Sequence, residues 1–363
     1  EYIVFAQGNS ANPLQVLIFR QEEDGTCRLM EVIQSNGSAF EQVEYVQMDN
    51  APGYELVVGR QLSDQVLRSV SVYSFSSGSA EQLMMVGYSK FITCDLNDDG
   101  CSELMVILPG ESETGTGSAV LYRMQDGNIE RSVEVNVSED ATHIRRITVG
   151  RLLGGTPAVF VASAVNNSAI VTDVFAWRND RFSNISYSRE SDTSVQTLRN
   201  YYVYAEDIDG DGVMELPSLI TMKRVFPEQE GKQKFLIRWF AMDLEGREMD
   251  KFFTFHNYLG GWYMQLASSW APRVSVEQEG GKYTFYVWDE DYRQALDVFS
   301  IYALTGGSRE EDATVDGRFA FYRAEGVVYA AKLEANAAEF GITENQLINN
   351  FHLIQQDWKT GET

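Results

Sequence analysis

The stretch "CDLNDDGCSEL", Cys94 to Leu104, and the stretch "EDIDGDGVMEL", Glu206 to Leu216, set oxygen-bearing side chains at one spacing before an apolar run. Asp95, Asn97, Asp99, Gly100, Glu103 and Leu104 line up with Asp207, Asp209, Asp211, Gly212, Glu215 and Leu216. A single loop of this kind is an ordinary polar turn, because Asp, Asn and Gly are turn residues. Two copies require a fold that repeats one unit, an acidic loop leading straight into a strand.

Oxygens at loop positions one, three and five, with glycine at six for the sharp turn, form the front half of a calcium loop. An EF-hand needs a bidentate glutamate at position twelve, where this chain has Val106 and Ser218. The carboxylate stands at position nine instead, as Glu103 and Glu215. The expected Ca²⁺ ligands are therefore Asp95, Asn97, Asp99, Glu103 and the Cys101 carbonyl in one loop. In the other they are Asp207, Asp209, Asp211, Glu215 and the Val213 carbonyl.

Weaker echoes extend the pattern. "YVQMDNAPGYELVVG" places Glu55 and Leu56 at the same frame and keeps Asp49, while "ITVGRLLGGTPAVFVAS" keeps Gly154, Gly155 and Val159 without any carboxylate. The anchors Leu56, Leu104, Val159 and Leu216 are 48, 55 and 57 residues apart. Short strands and frequent turns argue for a sandwich, barrel or propeller, and a period near fifty selects the propeller. An incomplete earlier unit, "PLQVLIFRQEEDGTCRLMEVIQ", brings the count to about five four-stranded blades. The N-terminal strand is expected to close the last blade, since closure protects sheet edges.

On these residues the chain resembles the FG-GAP or VCBS type of calcium-loop propeller repeat, as in integrin α-subunit heads and many exported bacterial proteins. The resemblance covers about residues 1–256. It implies a mainly β propeller held by Ca²⁺, related to seven-bladed members, with a role in binding.

After "HNYLGG" the pattern changes, and 257–363 reads as a separate small α+β domain. A hairpin is expected at Glu279-Gly280-Gly281, and a terminal helix at Thr343, with Gln346 completing a capping box and Ile342 stapled to Leu347. Leu347, Phe351, Ile354 and Trp358 would share one face of that helix. Trp262 and Trp270 resemble the opening of C-terminal domains appended to exported clostridial-type propeller proteins; from the residues alone both tryptophans read as core.

Catalytic patterns are absent from the sequence: there is no G-x-S-x-G elbow and no H-E-x-x-H. His143, His256 and His352 are scattered, "GTGSAV" at Gly115–Val120 reads as a hairpin turn, and Asp289-Glu290-Asp291 as a solvated turn. Fifty-three acidic against 29 basic residues give a net charge of −24, which repels phosphate backbones and excludes nucleic acid as a partner. Cys27, Cys94 and Cys101 are too few for a disulfide framework; Cys94 and Cys101 either bridge or stay buried thiols. No apolar run is long enough to span a bilayer. The chain begins without Met or a signal-like segment, so any export signal is expected to have been removed or to lie outside the sequence given.

These features lead to an exported or surface-anchored monomer, as in bacterial lipoproteins, that is calcium-stabilised and binds carbohydrate or protein. Trp177, Tyr201, Tyr202, Tyr204 and Trp239 are the aromatic candidates for a binding face. The alternative is a polysaccharide lyase or glycosidase using carboxylates on the propeller face.

Overall fold

A computed structural model describes residues 2–6, 14–35, 37–62, 68–110, 116–139, 141–165, 169–228 and 233–354. Among them the chain is mainly β, in six antiparallel sheets of three to five strands, an arrangement consistent with a propeller. Sheet one is Tyr2–Ala6, Leu14–Gln21 and Cys27–Ser35. Sheet two is Ala39–Val46, Glu55–Gln61, Arg68–Ser74 and Glu81–Gly87. Sheet three is Lys90–Cys94, Glu103–Pro109, Thr116–Gln125 and Asn128–Val135. Sheet four is Ala141–Arg151, Pro157–Val165, Ala169–Arg178 and Arg181–Asn184.

Sheet five is Glu215–Thr221, Phe235–Met242, Glu248–Asn257, Trp262–Leu266 and Phe351–Leu353. Sheet six is Val274–Glu279, Lys282–Trp288 and Ala295–Thr305, with Val327–Leu333 next in order and Phe319–Ala324 at the edge. Two compact units divide the chain, Glu1–Leu198 with Leu244–Gly246, and Arg199–Asp243 with Arg247–Thr363. The first contains sheets one to four and the second sheets five and six.

The period read from the sequence is a structural register. Leu56, Leu104, Val159 and Leu216 all lie on the strand entered from the loop, and each stands opposite an aromatic on the next strand, Tyr73, Tyr122, Phe175 and Phe240. The four anchors are buried. In the first unit, clusters of buried residues link sheet to sheet. Val16, Leu56 and Tyr73 join one and two, Val57, Phe91 and Val106 join two and three, and Met105, Leu121 and Phe175 join three and four. A sheet hydrophobic on both faces must be covered on both, and stacked neighbours do this without a helix.

Three expectations are corrected. Tyr2–Ala6 pairs with Leu14–Gln21 in its own sheet and, among the described residues, closes no later one. No distinct α+β domain is seen among the described residues: the five sheets that the repeats led one to expect are present, the fifth takes further strands from 262–266 and 351–353, and 274–333 forms a sixth sheet. The interval 256–262, expected to lie between separate domains, is the turn of a hairpin in which Asn257 pairs with Trp262. The change in pattern marks a tight turn inside one sheet.

The terminal helix is shorter than its sequence signals. Thr343 and Gln346 form the reciprocal capping box, but the helix is Glu344–Asn349. Phe351 then pairs with Met264 as a strand, because an aromatic with buried cross-strand partners gains more there than after two asparagines in a helix. Ile342 and Leu347 share the core cluster of this unit, as do Trp262 and Trp270. Trp358 lies outside the described residues. The Gly280-Gly281 hairpin is present, and a side chain at Gly281 would meet the Ala303 carbonyl at 2.7 Å. Of "GTGSAV", Thr116–Val120 continue a strand and Gly115 lies outside the described residues.

A feature the sequence did not signal recurs between the third and fourth strands. In the register one residue is skipped at Leu83, Ser132 and Lys251 in sheets two, three and five, always beside the pair that faces the anchor leucine. Sheet four, whose loop has lost its carboxylates, shows no such shift between its last two strands. A bulge turns its extra side chain away from the regular alternation.

Candidate functional site

The two acidic loops share one backbone design. Gly100 at φ +89° and Gly212 at φ +86° make the turn at position six in the left-handed region that favours glycine. Their N–H groups donate to the position-one carboxylates, Gly100 to Asp95 at 2.8 Å and Gly212 to Asp207 at 2.9 Å. Asp99 and Asp211 accept from Cys101 N–H at 2.8 Å and Val213 N–H at 2.9 Å, which fixes the residues whose carbonyls were expected as ligands. Asn97 accepts from Asp99 N–H at 3.0 Å and Asp209 from Asp211 N–H at 3.3 Å.

The position-nine glutamates show why the spacing matters. Glu103 and Glu215 are 3% and 0% exposed, and each accepts a hydrogen bond from the backbone seven residues earlier, Leu96 N–H at 2.9 Å and Ile208 N–H at 3.2 Å. Glu55 does the same with Met48 N–H at 3.1 Å, so the weak echo keeps the brace after losing most ligands. Burial, with Asp99 and Asp95 nearby, pushes Glu103 up to about 7, and burial with Asp209 pushes Glu215 up to about 7. A cation at either loop would hold these carboxylates ionised.

The loops differ in where their four acidic side chains are placed. Asp207, Asp209 and Glu215 form the one group of three such side chains among the described residues whose ligand atoms lie within 4.8 Å of one another. Asp207 Oδ1 and Glu215 Oε1 are buried with no hydrogen-bond donor, the kind of oxygen a cation would satisfy. In the first loop Asp98, at position four, faces outward to Arg151, with contacts of 3.2 and 3.0 Å. Cys94 and Cys101 are unbridged thiols, and burial pushes Cys94 up to about 12.

A pH dependence follows. Glu103 titrates higher in the folded chain than its ordinary value of 4.5, so the metal-stripped fold holds the extra proton between these pH values. Stability from this group is therefore lost as pH rises from about 4.5 to 7. His256, which burial lowers to about 3, acts in the opposite direction below pH 6.5. The comparison of chelator-stripped wild type with Glu103→Gln isolates the glutamate: the variant should gain on the order of 2 kcal/mol relative to wild type between about pH 5 and 8. Parallel melting curves across that range would contradict it.

Within the first unit an open cleft of about 1730 Å³ begins at the first loop. Leu96, Asn97 and Asp98 form one edge, and Trp177, Tyr187 and Arg181 lie on another. The Trp177 indole N–H and the Ser183 hydroxyl are buried and without a partner, and both residues line the cleft. Arg178 and Arg181 stand directly opposite each other across the hairpin. Like charges in that position destabilise a sheet unless something between them is negative. Among the predicted aromatics, Trp239 and Tyr204 are fully buried and structural, and Trp177 is the one that lines the cleft.

Asp289 accepts from Arg293 N–H at 2.7 Å in a turn, with Glu290 and Asp291 exposed. His256 and His352 stack on Tyr263, each with ring centroids 4.9 Å away, and burial lowers both. His143 is exposed. Among the described residues, no helix is long and apolar enough to cross a membrane.

No family pattern matches the sequence, and no curated protein does. Solved structures resemble it distantly. Rhamnogalacturonan lyase YesW matches at 10% identity and TM-score 0.34, over 78% of this chain and 57% of that one. The rhamnogalacturonan lyase PL11 of Bacillus licheniformis matches at 8% and 0.34, over 82% and 75%. The β-propeller domain of the Trilobed protease from Pyrococcus furiosus matches at 11% and 0.31, over 83% and 84%. Likeness at this level assigns no activity. The chain spans less than two thirds of the length of the first lyase.

Proposed function

We propose that the chain is an exported, calcium-stabilised binding protein, built from FG-GAP-like repeats, whose cleft between sheets three and four takes an acidic glycan. The observation that carries this reading is the cleft lining, where the half-buried Trp177 stands beside the facing pair Arg178 and Arg181. Sugars pair apolar ring faces with aromatic rings while their oxygens take hydrogen bonds at the rim. Arg123, Arg178, Arg181 and Arg189 line the cleft beside Asp98, Glu134, Asp180 and Asp192, so an anionic ligand would be held by the local arginines against the chain's net charge of −24, and its retention should fall steeply with salt. Asn97 and Asp98 belong to both the first loop and the cleft, so calcium there would shape the edge of the binding surface.

The test is retention of the purified chain on polygalacturonate against neutral dextran, with an assay for released chain ends. Saturable, salt-sensitive retention without release is expected, and Trp177→Ala should weaken it at least about tenfold, the loss of roughly 1.4 kcal/mol of contact. Release of chain ends would establish the polysaccharide-cleaving alternative. Equal retention on both polymers, or none on either, would remove the acidic glycan from consideration.

A further inference from the structure

We propose that Lys251 is the resident cation of the second acidic loop, so that calcium fills the first loop alone and must displace an ammonium to enter the second. The inference rests on the calcium-loop reading of the first site and departs from the expectation of two equal sites. Lys251 Nζ hydrogen-bonds Asp211, lies 3.5 Å from Asp209 Oδ2 and 3.8 Å from Glu215 Oε1. An ammonium has three protons in a compact head, and here three carboxylates surround it. Those three are members of the four-carboxylate ligand set that the spacing assigns to a metal.

The fold delivers this side chain through an irregularity in the strand. Lys251 is the skipped residue of the bulge in sheet five, between Asp250 opposite Phe240 and Phe252 opposite Trp239. Its carbonyl is held by the Ser268 hydroxyl at 3.0 Å, and its side chain is only 15% exposed. The corresponding bulge in sheet three presents Ser132, between Arg131 opposite Tyr122 and Val133 opposite Leu121. Serine carries no charge, and Arg151, which contacts the first loop, pairs with the outward-facing Asp98.

Position three explains the difference from the other side. The first loop has Asn97 where the second has Asp209. Both loops hold four acidic residues, but in the first one of them, Asp98, faces outward to Arg151, so the inward ligand positions of the second loop gather one more negative charge, which needs a permanent partner when no metal is present. A metal entering that loop must both break the ammonium contacts and accept a like charge close by, and both oppose it. The second loop is thus braced whatever the calcium level, while the first, at the edge of the cleft, responds to it.

The experiment is calcium titration calorimetry on the chelator-stripped 363-residue chain, with thermal unfolding as a second readout. Wild type should bind about one calcium at submillimolar concentration. Lys251→Met should bind about two, with the new site at least about tenfold tighter than any second site of wild type, and its melting temperature in chelator should fall and recover with calcium. Asp95→Ala, in a chain that keeps Lys251, should abolish submillimolar binding altogether, which tests the idea even if Lys251→Met does not fold. Two equal sites in wild type, or half the binding left in Asp95→Ala, would overturn the role of Lys251 and leave both calcium loops standing. No binding in any of the three proteins would overturn the calcium reading itself.

Discussion

Replacing Asp173 with alanine is expected to destabilise the first unit by about 4 kcal/mol and to lower its melting temperature by roughly 10 °C. Asp173 is fully buried on the strand Ala169–Arg178. It accepts four hydrogen bonds, from Ser138 N–H at 3.0 Å, Ser138 Oγ at 2.8 Å, Ser194 Oγ at 2.6 Å and Asn184 Nδ2 at 2.8 Å. Alanine would strand the buried Ser138 N–H and hydroxyl, while Ser194 Oγ would keep only Ser186 Oγ at 2.9 Å and Asn184 Nδ2 only the Asn136 carbonyl at 3.2 Å. The cost of stranded donors is larger than the modest net value of each bond.

The same residue positions the cleft. Ser194 also donates its N–H to Ser138 Oγ at 3.0 Å. The Thr197 hydroxyl donates to the Thr172 carbonyl at 2.8 Å and accepts from the Thr172 N–H at 2.9 Å. These bonds staple the segment after sheet four onto the strand behind it, and that segment carries Tyr187, Arg189 and Asp192 to the cleft wall. Asp173→Ala should therefore weaken glycan retention as well as stability. Circular dichroism melting within about 2 °C of wild type would contradict the claim about Asp173.

Trp262→Ala should be as damaging to the second unit, at about 4 kcal/mol. The side chain is fully buried, stacks on Phe351 at 5.4 Å between centroids and meets Tyr283 edge-on at 5.2 Å. One indole thus ties sheet five to its late strand Phe351–Leu353 and to the hairpin of sheet six. Aromatic pairs of this geometry add to the area they bury. A protein ended after His256 would lose two strands of sheet five and uncover the apolar side of Phe253 and Phe255. The fragment 1–256 is expected to be insoluble, and a soluble monomer with one cooperative unfolding transition would show that the division lies at the turn after all.

The repeat could be read from the sequence because its elements are local. Asp95 to Glu103 and Asp207 to Glu215 each close a loop within nine residues, so spacing alone fixes which oxygens converge, and the leucine that follows marks the buried strand. The Thr343–Gln346 capping box is legible for the same reason, since both partners lie within one turn. Lys251 carries no such signal, and neither does the cleft. A lysine on an alternating strand reads as a solvated surface residue, and only the pairing of three strands, with one residue skipped opposite Phe240, turns it toward a loop some forty positions earlier. Phe351 shows the same limit from the opposite side: helical spacing favours one element, and the strand Trp262–Leu266 offers a partner that spacing cannot see. Local geometry decides a loop, while register between distant strands decides what faces it.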